Sequence, residues 1–421
     1  MNKTAEIKGV RIELVDALRG VALLGIVIVH MSQWYLAAGV PQSVFDGHQD
    51  ILARIFTTLS DLFLSGKFYA IFSFLFGLSF YLQFEGLSQK SNHPYLVYAW
   101  RLVLMGCIGL GHHLLWRGDI LSIYAPLGFL LLPARLLSNR WLWILGLVFA
   151  LALPPKIFQA VDYLMPKTEQ PKTPNGTAQA PPAAPFDWET EARQYYAIVM
   201  GHSWKALVKD NATHLDAKFQ FQVESGRIYV TYGFFLLGLL AGRKGRLAEA
   251  HTYRKEVMST FKNALVVVIT CFLIGISIIG ANSFFKLNWE NNPVIGWLFG
   301  WINDAYNASL VVTMITGFTM LLAITQRKNV VAGFAAIGKM ALTTYLTQTL
   351  VGLLIFYGVG LGYFGKTSPA LNWVFAGILF WLQILASQWW LKRFNYGPVE
   401  WLWRSATFFK AYPFRRKSSE N

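Results

Sequence analysis

Apolar runs of about twenty residues recur along the chain, parted by short polar breaks. A run of that length crosses the roughly 30 Å hydrocarbon core of a bilayer as an α-helix. The pattern predicts ten spans, at 17–38, 60–84, 98–116, 120–137, 141–161, 226–242, 263–282, 298–324, 336–359 and 371–391. The second and eighth exceed what a bilayer needs and are expected to tilt or to begin at the interface. The expected fold class is all-α, a polytopic transmembrane helix bundle of about ten spans with one long extracytoplasmic loop. Residues 1–161 form a five-span half and 162–225 the loop. Residues 226–393 form a second five-span half, and 394–421 a cytoplasmic basic tail with an interfacial helix.

Charge sets the orientation of that pattern. The net charge of +15 is the kind of excess that nucleic-acid binding uses, but here the basic residues fall between apolar spans. They therefore report topology, and no nucleic-acid partner is expected. Every short loop on one side is basic, and most of the 37 Lys and Arg lie there, so both termini are expected in the cytoplasm. The location expected is a bacterial cytoplasmic membrane. Lys3, Lys8 and Arg11 before the first run mimic a signal peptide. Leu36-Ala37-Ala38 is a poor cleavage context, so an uncleaved first span is expected.

The long loop has two parts. Pro166–Phe186 is rich in Pro, Ala and Thr and reads as disordered or polyproline-like. Asp187–Glu224 has helical spacing, with Tyr195, Tyr196, Ile198, Val199 and Trp204 on an apolar face that lies on the membrane or lids the bundle. On the other side, Arg243–Lys262 reads as a basic surface helix against anionic lipid. Cys107 and Cys271 both sit inside apolar runs and read as small buried hydrophobes.

Candidate chemistry begins in the first span, where Glu13–Ser32 reads ELVDALRGVALLGIVIVHMS. Arg19 and His30 are eleven residues apart, which is three helical turns, so they share one face roughly 16 Å apart. Charged and imidazole groups in a bilayer are costly and mark sites or aqueous cavities. The third span repeats the relation with Arg101 and His112. His112 and His113 point about 100° apart, so only one of them faces a given cavity. Arg117 and Asp119 flank Gly118 in the short turn that follows. They either form a hairpin-fixing ion pair or bind a polar substrate, and Asp119 can also orient an imidazole. Lys67 starts GKFYAIFSFLFGLSF in the second span, and Asp304 heads the eighth beside Asn303 and Asn307. Thr343, Thr344, Thr347 and Gln348 make a polar stripe on the ninth, which bonds neighbouring helices or lines a tunnel. Gly397-Pro398 breaks the tenth helix and starts another, with Glu400 suited to that helix's dipole. No metal pattern is found, and no phosphate loop or nucleophile-elbow serine.

LRG, GKFYAIFSFLFG, GDILSIYAPLG, GKMALTTYLTQ and GPVEWLWR, in this order from Leu18 to Arg404, resemble the YeiB-like bacterial membrane proteins. That resemblance implies a distant kinship to the acyltransferase-3 and heparan-alpha-glucosaminide N-acetyltransferase families, which move acyl groups from cytosolic acyl-CoA to extracytoplasmic sugars. LRG-x9-H at Leu18–His30 is similar to the first-span motif of acyltransferase-3 proteins, whose histidine is implicated in catalysis. YeiB-like proteins often carry Asn where His30 stands.

The resemblance thus implies a transmembrane acyltransferase. Acyl-CoA, above all acetyl-CoA, is its donor substrate, held by Arg19 and Arg101. His30, or alternatively His112, is the base, with Asp119 beside it. Lys67, His113, Arg117, Asp304 and Gln348 are the candidate contacts for a small-molecule or glycan acceptor. The alternatives are a proton-coupled transporter of a small solute, in which the histidines and Lys67 relay protons, and a structural or assembly protein. Membrane lipid is the expected surrounding partner, and oligomeric assembly is left open.

Overall fold

The computed structural model describes residues 3–37, 40–48, 50–164, 188–245, 247, 249–287, 289, 292–324 and 328–416. The Pro-rich stretch expected at 166–186 lies outside the described residues. The described residues are organised as helices: α1 (Lys3–Ser32), the short α2 (Gln42–Asp46), α3 (Ile51–Leu59), α4 (Phe68–Ser88), α5 (Pro94–Leu115), α6 (Leu121–Ala134), α7 (Asn139–Ala150) and α8 (Leu153–Leu164). Three helices follow in the long loop: α9 (Trp188–Met200), α10 (Trp204–Thr213) and α11 (Leu215–Glu224). The chain ends with α12 (Arg227–Lys244), α13 (Arg254–Phe285), α14 (Pro293–Ile324), α15 (Lys328–Lys339), α16 (Ala341–Phe356), α17 (Pro369–Arg393) and α18 (Pro398–Phe408).

This is an all-α polytopic membrane bundle. Each of the ten predicted spans falls on helix, but their number changes. Among the described residues, six helices are long and apolar enough to cross a membrane, and up to eight if each bent pair counts as one span. The bent pairs are α7 with α8, at 57°, and α15 with α16, at 82°. The remaining two predicted spans are α6, which has 14 residues, and α12, which carries Arg227, Arg243 and Lys244 in 18 residues. The first falls outside that count by its length and the second by its charge.

Two helix pairs are drawn together by reciprocal glycines. A Cβ on Gly77 of α4 would strike the Phe235 carbonyl of α12, and one on Gly238 of α12 would strike the Phe74 carbonyl of α4. Gly20 of α1 and Gly338 of α15 stand in the same relation to Phe334 and Asp16. Such contacts let backbones approach where apolar surface alone gives no preference between lipid and protein. The core of α1, α4, α5 and α12 is closed by Leu23, Phe80, Phe235 and Leu239, all fully buried. By contrast α13 and α17 expose Phe272, Leu273, Ile279, Trp381 and Leu385, the apolar belt expected of lipid-facing helices.

Helices α9–α11 cap one face, called here the lid face. Tyr195 and Val199 of the predicted apolar face are buried there, while Trp204 is exposed. Helix α18 and the C-terminal segment lie at the other face, the tail face. The basic surface helix expected at Arg243–Lys262 does not form as a separate element. Helix α12 ends at Lys244, and Arg254 to Lys262 are the opening turns of α13.

Candidate functional site

A cavity of about 300 Å³ runs between α1, α4, α5, α16 and α18. Its wall on α1 is Arg19, Leu23 and Ile26, and its wall on α5 is Tyr98, Arg101, Leu102 and Met105. Both sets recur every three or four residues, so each helix gives one face to the cavity. His30 lies one turn beyond Ile26, and His112 two turns beyond Met105, on those same faces. Two helices therefore carry a cation at the tail-face end and an imidazole toward the lid face.

The tail-face end of the cavity is basic, with Lys339 and Arg404 joining Arg19 and Arg101. Arg19 bonds Ser79 at 2.6 Å and pairs with Asp16. The Arg101 guanidinium lies 3.6 Å from the Trp403 ring, whose indole N–H donates to the Arg101 carbonyl. Arg404 lies over the Tyr412 ring at 4.6 Å, and its buried Nε has no hydrogen-bond partner. Glu400, expected to serve the dipole of its own helix, reaches across to the break between α15 and α16. Its Oε1 accepts from the Leu342 and Thr343 N–H at 2.7 and 3.0 Å, and its Oε2 accepts from the Thr343 hydroxyl at 2.5 Å. It satisfies the orphan donors that open α16. Burial raises the Glu400 carboxyl above its ordinary range, against those hydrogen bonds.

The far end of the cavity is formed by Ile120, Leu121, Tyr124 and Tyr345. Beyond it stands the α5–α6 turn. His112 Nδ1–H donates to Asp119 Oδ1 at 2.8 Å. His112 is 5% exposed and Asp119 1%. Asp119 also caps α6, accepting from the Leu121 N–H at 3.1 Å and the Ser122 N–H at 2.8 Å. The Tyr345 ring, a wall of the cavity, meets the His112 ring edge-on at 5.0 Å. His112 Nε2 is buried without a partner. A carboxylate on Nδ1–H fixes the tautomer in which Nε2 keeps its lone pair, which is the form of a general base.

His30 sits nearby in a different setting. Its ring packs edge-on against Trp116 at 4.7 Å and Tyr35 at 5.3 Å, and meets no carboxylate among the described residues. The Trp116 ring lies between the two imidazoles, 5.8 Å from that of His112. His113 points the other way, as the helical spacing predicts. Its Nε2–H donates to the Asn211 carbonyl at 2.9 Å, under α10. Arg117 is spent on the lid: it bonds Glu191 at 3.2 Å and Asn211 at 3.3 Å, pairs with Asp210, and stacks on Tyr195 at 4.0 Å.

The C-terminal part of the chain, residues 241–410, matches the family model described as "Protein of unknown function (DUF418)". YxaH of Bacillus subtilis (strain 168) is 28% identical over 97% of this chain and 97% of its own length. YeiB of Escherichia coli (strain K12) is 28% identical over 96% of this chain and 98% of its own. The chain is similar to the YeiB-like proteins along nearly its whole length. Both relatives are described as uncharacterized. No solved structure matches the chain.

Within this bundle, three sequence candidates lie apart from the cavity. Lys67 donates to the Asp61 carbonyl at 2.7 Å and lies over the Tyr306 ring. Asp304 pairs with Lys156 at 2.7 Å. Gln348 bonds Gln383 of α17 at 3.0 Å. The polar stripe of the ninth predicted span thus serves helix–helix bonding through Thr347 and Gln348, while Thr343 receives Glu400. Sequence reasoning missed Lys339 and Arg404 as cavity cations, Tyr345 as the wall before His112, and Lys218 of α11. The last donates to the Ser122 hydroxyl at 2.7 Å and stands 3.5 Å from Asp119. GKMALTTYLTQ held the signal for Lys339 and Tyr345, since it sets a cation and a tyrosine on either side of the α15–α16 break.

Proposed function

We propose that this chain is a transmembrane acyltransferase that takes its acyl group from acyl-CoA. One observation carries the reading. A single cavity joins four cations, Arg19, Arg101, Lys339 and Arg404, to the approach of an imidazole whose Nε2 is free. Phosphates bind best to guanidinium groups through charge-assisted hydrogen bonds. The apolar middle, Leu23, Ile26, Leu102 and Met105, suits a pantetheine arm and excludes water from a thioester.

In this reading the acceptor hydroxyl or amine meets the thioester beside His112. Nε2 takes the acceptor proton as the acceptor attacks the carbonyl carbon. The bond from acceptor to acyl carbon forms, the C–S bond breaks, and Nε2–H returns the proton to the departing thiolate. The tail face is cytosolic, in keeping with Arg393, Arg404, Lys410, Arg415 and Arg416 near it. The lid face is extracytoplasmic and the membrane is the bacterial cytoplasmic one. The acceptor, a sugar or another small hydroxyl or amine, arrives from the lid side.

The test is calorimetric titration of purified protein with acetyl-CoA and with CoA, followed by transfer of radiolabelled acetyl to amino-sugar and polyol acceptors in proteoliposomes. Saturable binding plus transfer supports the reading. Absence of both overturns it. Proton-coupled solute flux in the same vesicles without donor binding puts the transporter in its place.

A further inference from the structure

The Asp119 carboxylate is buried, and its interactions come from several elements. From α5 it receives His112 Nδ1–H, and from the start of α6 the Leu121 and Ser122 N–H groups. His113 shares the Lys218 ammonium with it, and the Tyr345 phenol accepts from the Ile120 N–H, next along the turn. Among the described residues that face it, the cation is Lys218 of α11. The Lys218 side chain is 7% exposed, and its Nζ stands 3.5 Å from Asp119 Oδ2, 2.7 Å from Ser122 Oγ and 3.4 Å from His113 Nδ1. The nearby Arg117 is committed to Glu191 and Asp210. The tautomers agree, since His113 donates through Nε2 to the Asn211 carbonyl and offers Nδ1 to the ammonium.

Resting on the acyltransferase reading, we infer that Lys218 is a positioning residue: its ammonium keeps Asp119 ionised and thereby keeps Nε2 of His112 the basic nitrogen. The reason is tautomeric. A neutral Asp119 would carry a proton of its own and donate it to Nδ1. Nε2 would then hold the hydrogen, and the imidazole would present a donor where a base is needed. Burial favours that neutral acid, and a nearby cation opposes it. Burial alone would raise the Asp119 carboxyl; the His112 hydrogen bond and the Lys218 charge outweigh it and hold the group below its usual range. Burial in turn lowers the Lys218 amine, against the pull of Asp119.

The arrangement also ties the lid to the base. Lys218 comes from a helix of the long loop, 96 residues along the chain from Ser122. The adjoining α10 is fixed at the same turn, where the Asn211 amide donates to the Leu114 carbonyl at 3.0 Å. A displaced lid would remove the ammonium and disarm His112.

The test uses the full chain in nanodiscs, labelled with ¹⁵N at histidine, and the His112 signals are assigned by their loss in His112→Gln. The wild type and Lys218→Arg are expected to show His112 protonated at Nδ1. Lys218→Met and the nearly isosteric Lys218→Gln are expected to move the proton to Nε2. In the transfer assay both neutral variants should lower kcat roughly tenfold or more with donor KM unchanged, and Lys218→Arg should restore it. An Nδ1–H tautomer retained in a folded neutral variant overturns the inference. A tautomer shift in protein that never transfers acyl groups upholds the role of Lys218 and overturns the acyltransferase reading alone.

Discussion

Asp119 holds His112 through Nδ1 at 2.8 Å and leaves Nε2 buried without a partner. Among the candidate site residues, this pair has the geometry of an oriented base. His30 is close by, but it is packed between rings and lacks a carboxylate. His112→Gln should therefore lower kcat about 100-fold or more and leave donor affinity within about twofold, because a general base contributes roughly 10²–10⁴-fold to rate and little to ground-state binding. His30→Ala should cost less. The check is a pair of measurements on each variant, turnover and acetyl-CoA affinity. Equal loss in both variants would move the base to His30.

The four cations of the cavity should set donor affinity. Arg101→Ala and Arg404→Ala are each expected to weaken acyl-CoA binding by about tenfold or more, since a hydrogen bond to a charged group contributes about 1.5–3 kcal/mol. Raising the salt should weaken the wild type and flatten the difference. Titration calorimetry at two ionic strengths measures both effects. Lys67→Ala, remote from the cavity, should bind donor as the wild type does.

The Asp119 carboxyl is held below its ordinary value of 3.8 in the folded protein. A group shifted this way adds stability that is fully present above that value and is lost as the pH falls through the lower, folded one. Asp119→Asn should cost about 3 kcal/mol near neutrality, the scale for stranding one partner of a buried pair. The gap in thermal unfolding between wild type and variant should stay constant from pH 7 to about pH 5 and narrow below about pH 4. A gap that widens in acid would reverse the assignment.

The orientation is testable without any activity. In a chain lacking Cys107 and Cys271, Lys205→Cys on the lid face should react with an impermeant maleimide in intact cells. Lys410→Cys on the tail face should react only after the membrane is opened. Both positions are exposed, so access rather than burial decides the result. The opposite pattern would invert the proposed topology.

The glycine contacts between α4 and α12 predict a packing defect. Gly77→Leu should destabilise the bundle by about 1–3 kcal/mol or prevent folding, because the side chain would have to displace the Phe235 backbone. Gly86→Leu, where nothing lies within reach of a Cβ, should be nearly neutral. Thermal unfolding of the two variants in detergent makes the comparison.

Membrane class was legible in the sequence because it depends on local quantities. Run length, apolar content and the placement of Lys and Arg place helices in a bilayer whatever the tertiary arrangement. The shared faces of Arg19 with His30 and of Arg101 with His112 follow from helical periodicity alone, and so does the divergence of His112 from His113. What hydropathy could not read was where one helix ends and the next begins. The 57° bend between α7 and α8 and the 82° break between Lys339 and Ala341 leave no mark on the apolar pattern.

The site itself belonged to the tertiary structure. The sequence offered Lys67, Asp304 and Gln348 as acceptor contacts because they are polar groups in or beside apolar spans, which says roughly how deep each lies and not what it faces. Depth fixes one coordinate only, and each of the three turns to another neighbour, Asp61, Lys156 and Gln383. Arg404 and Lys218 could not be found from spacing, because α18 and α11 reach the cavity and the dyad across hundreds and scores of residues. The choice between two similar imidazoles rested on which one met a carboxylate. That depends on the turn from Trp116 to Ile120 folding Asp119 back onto α5, a matter of distance in space that periodicity along one helix does not contain.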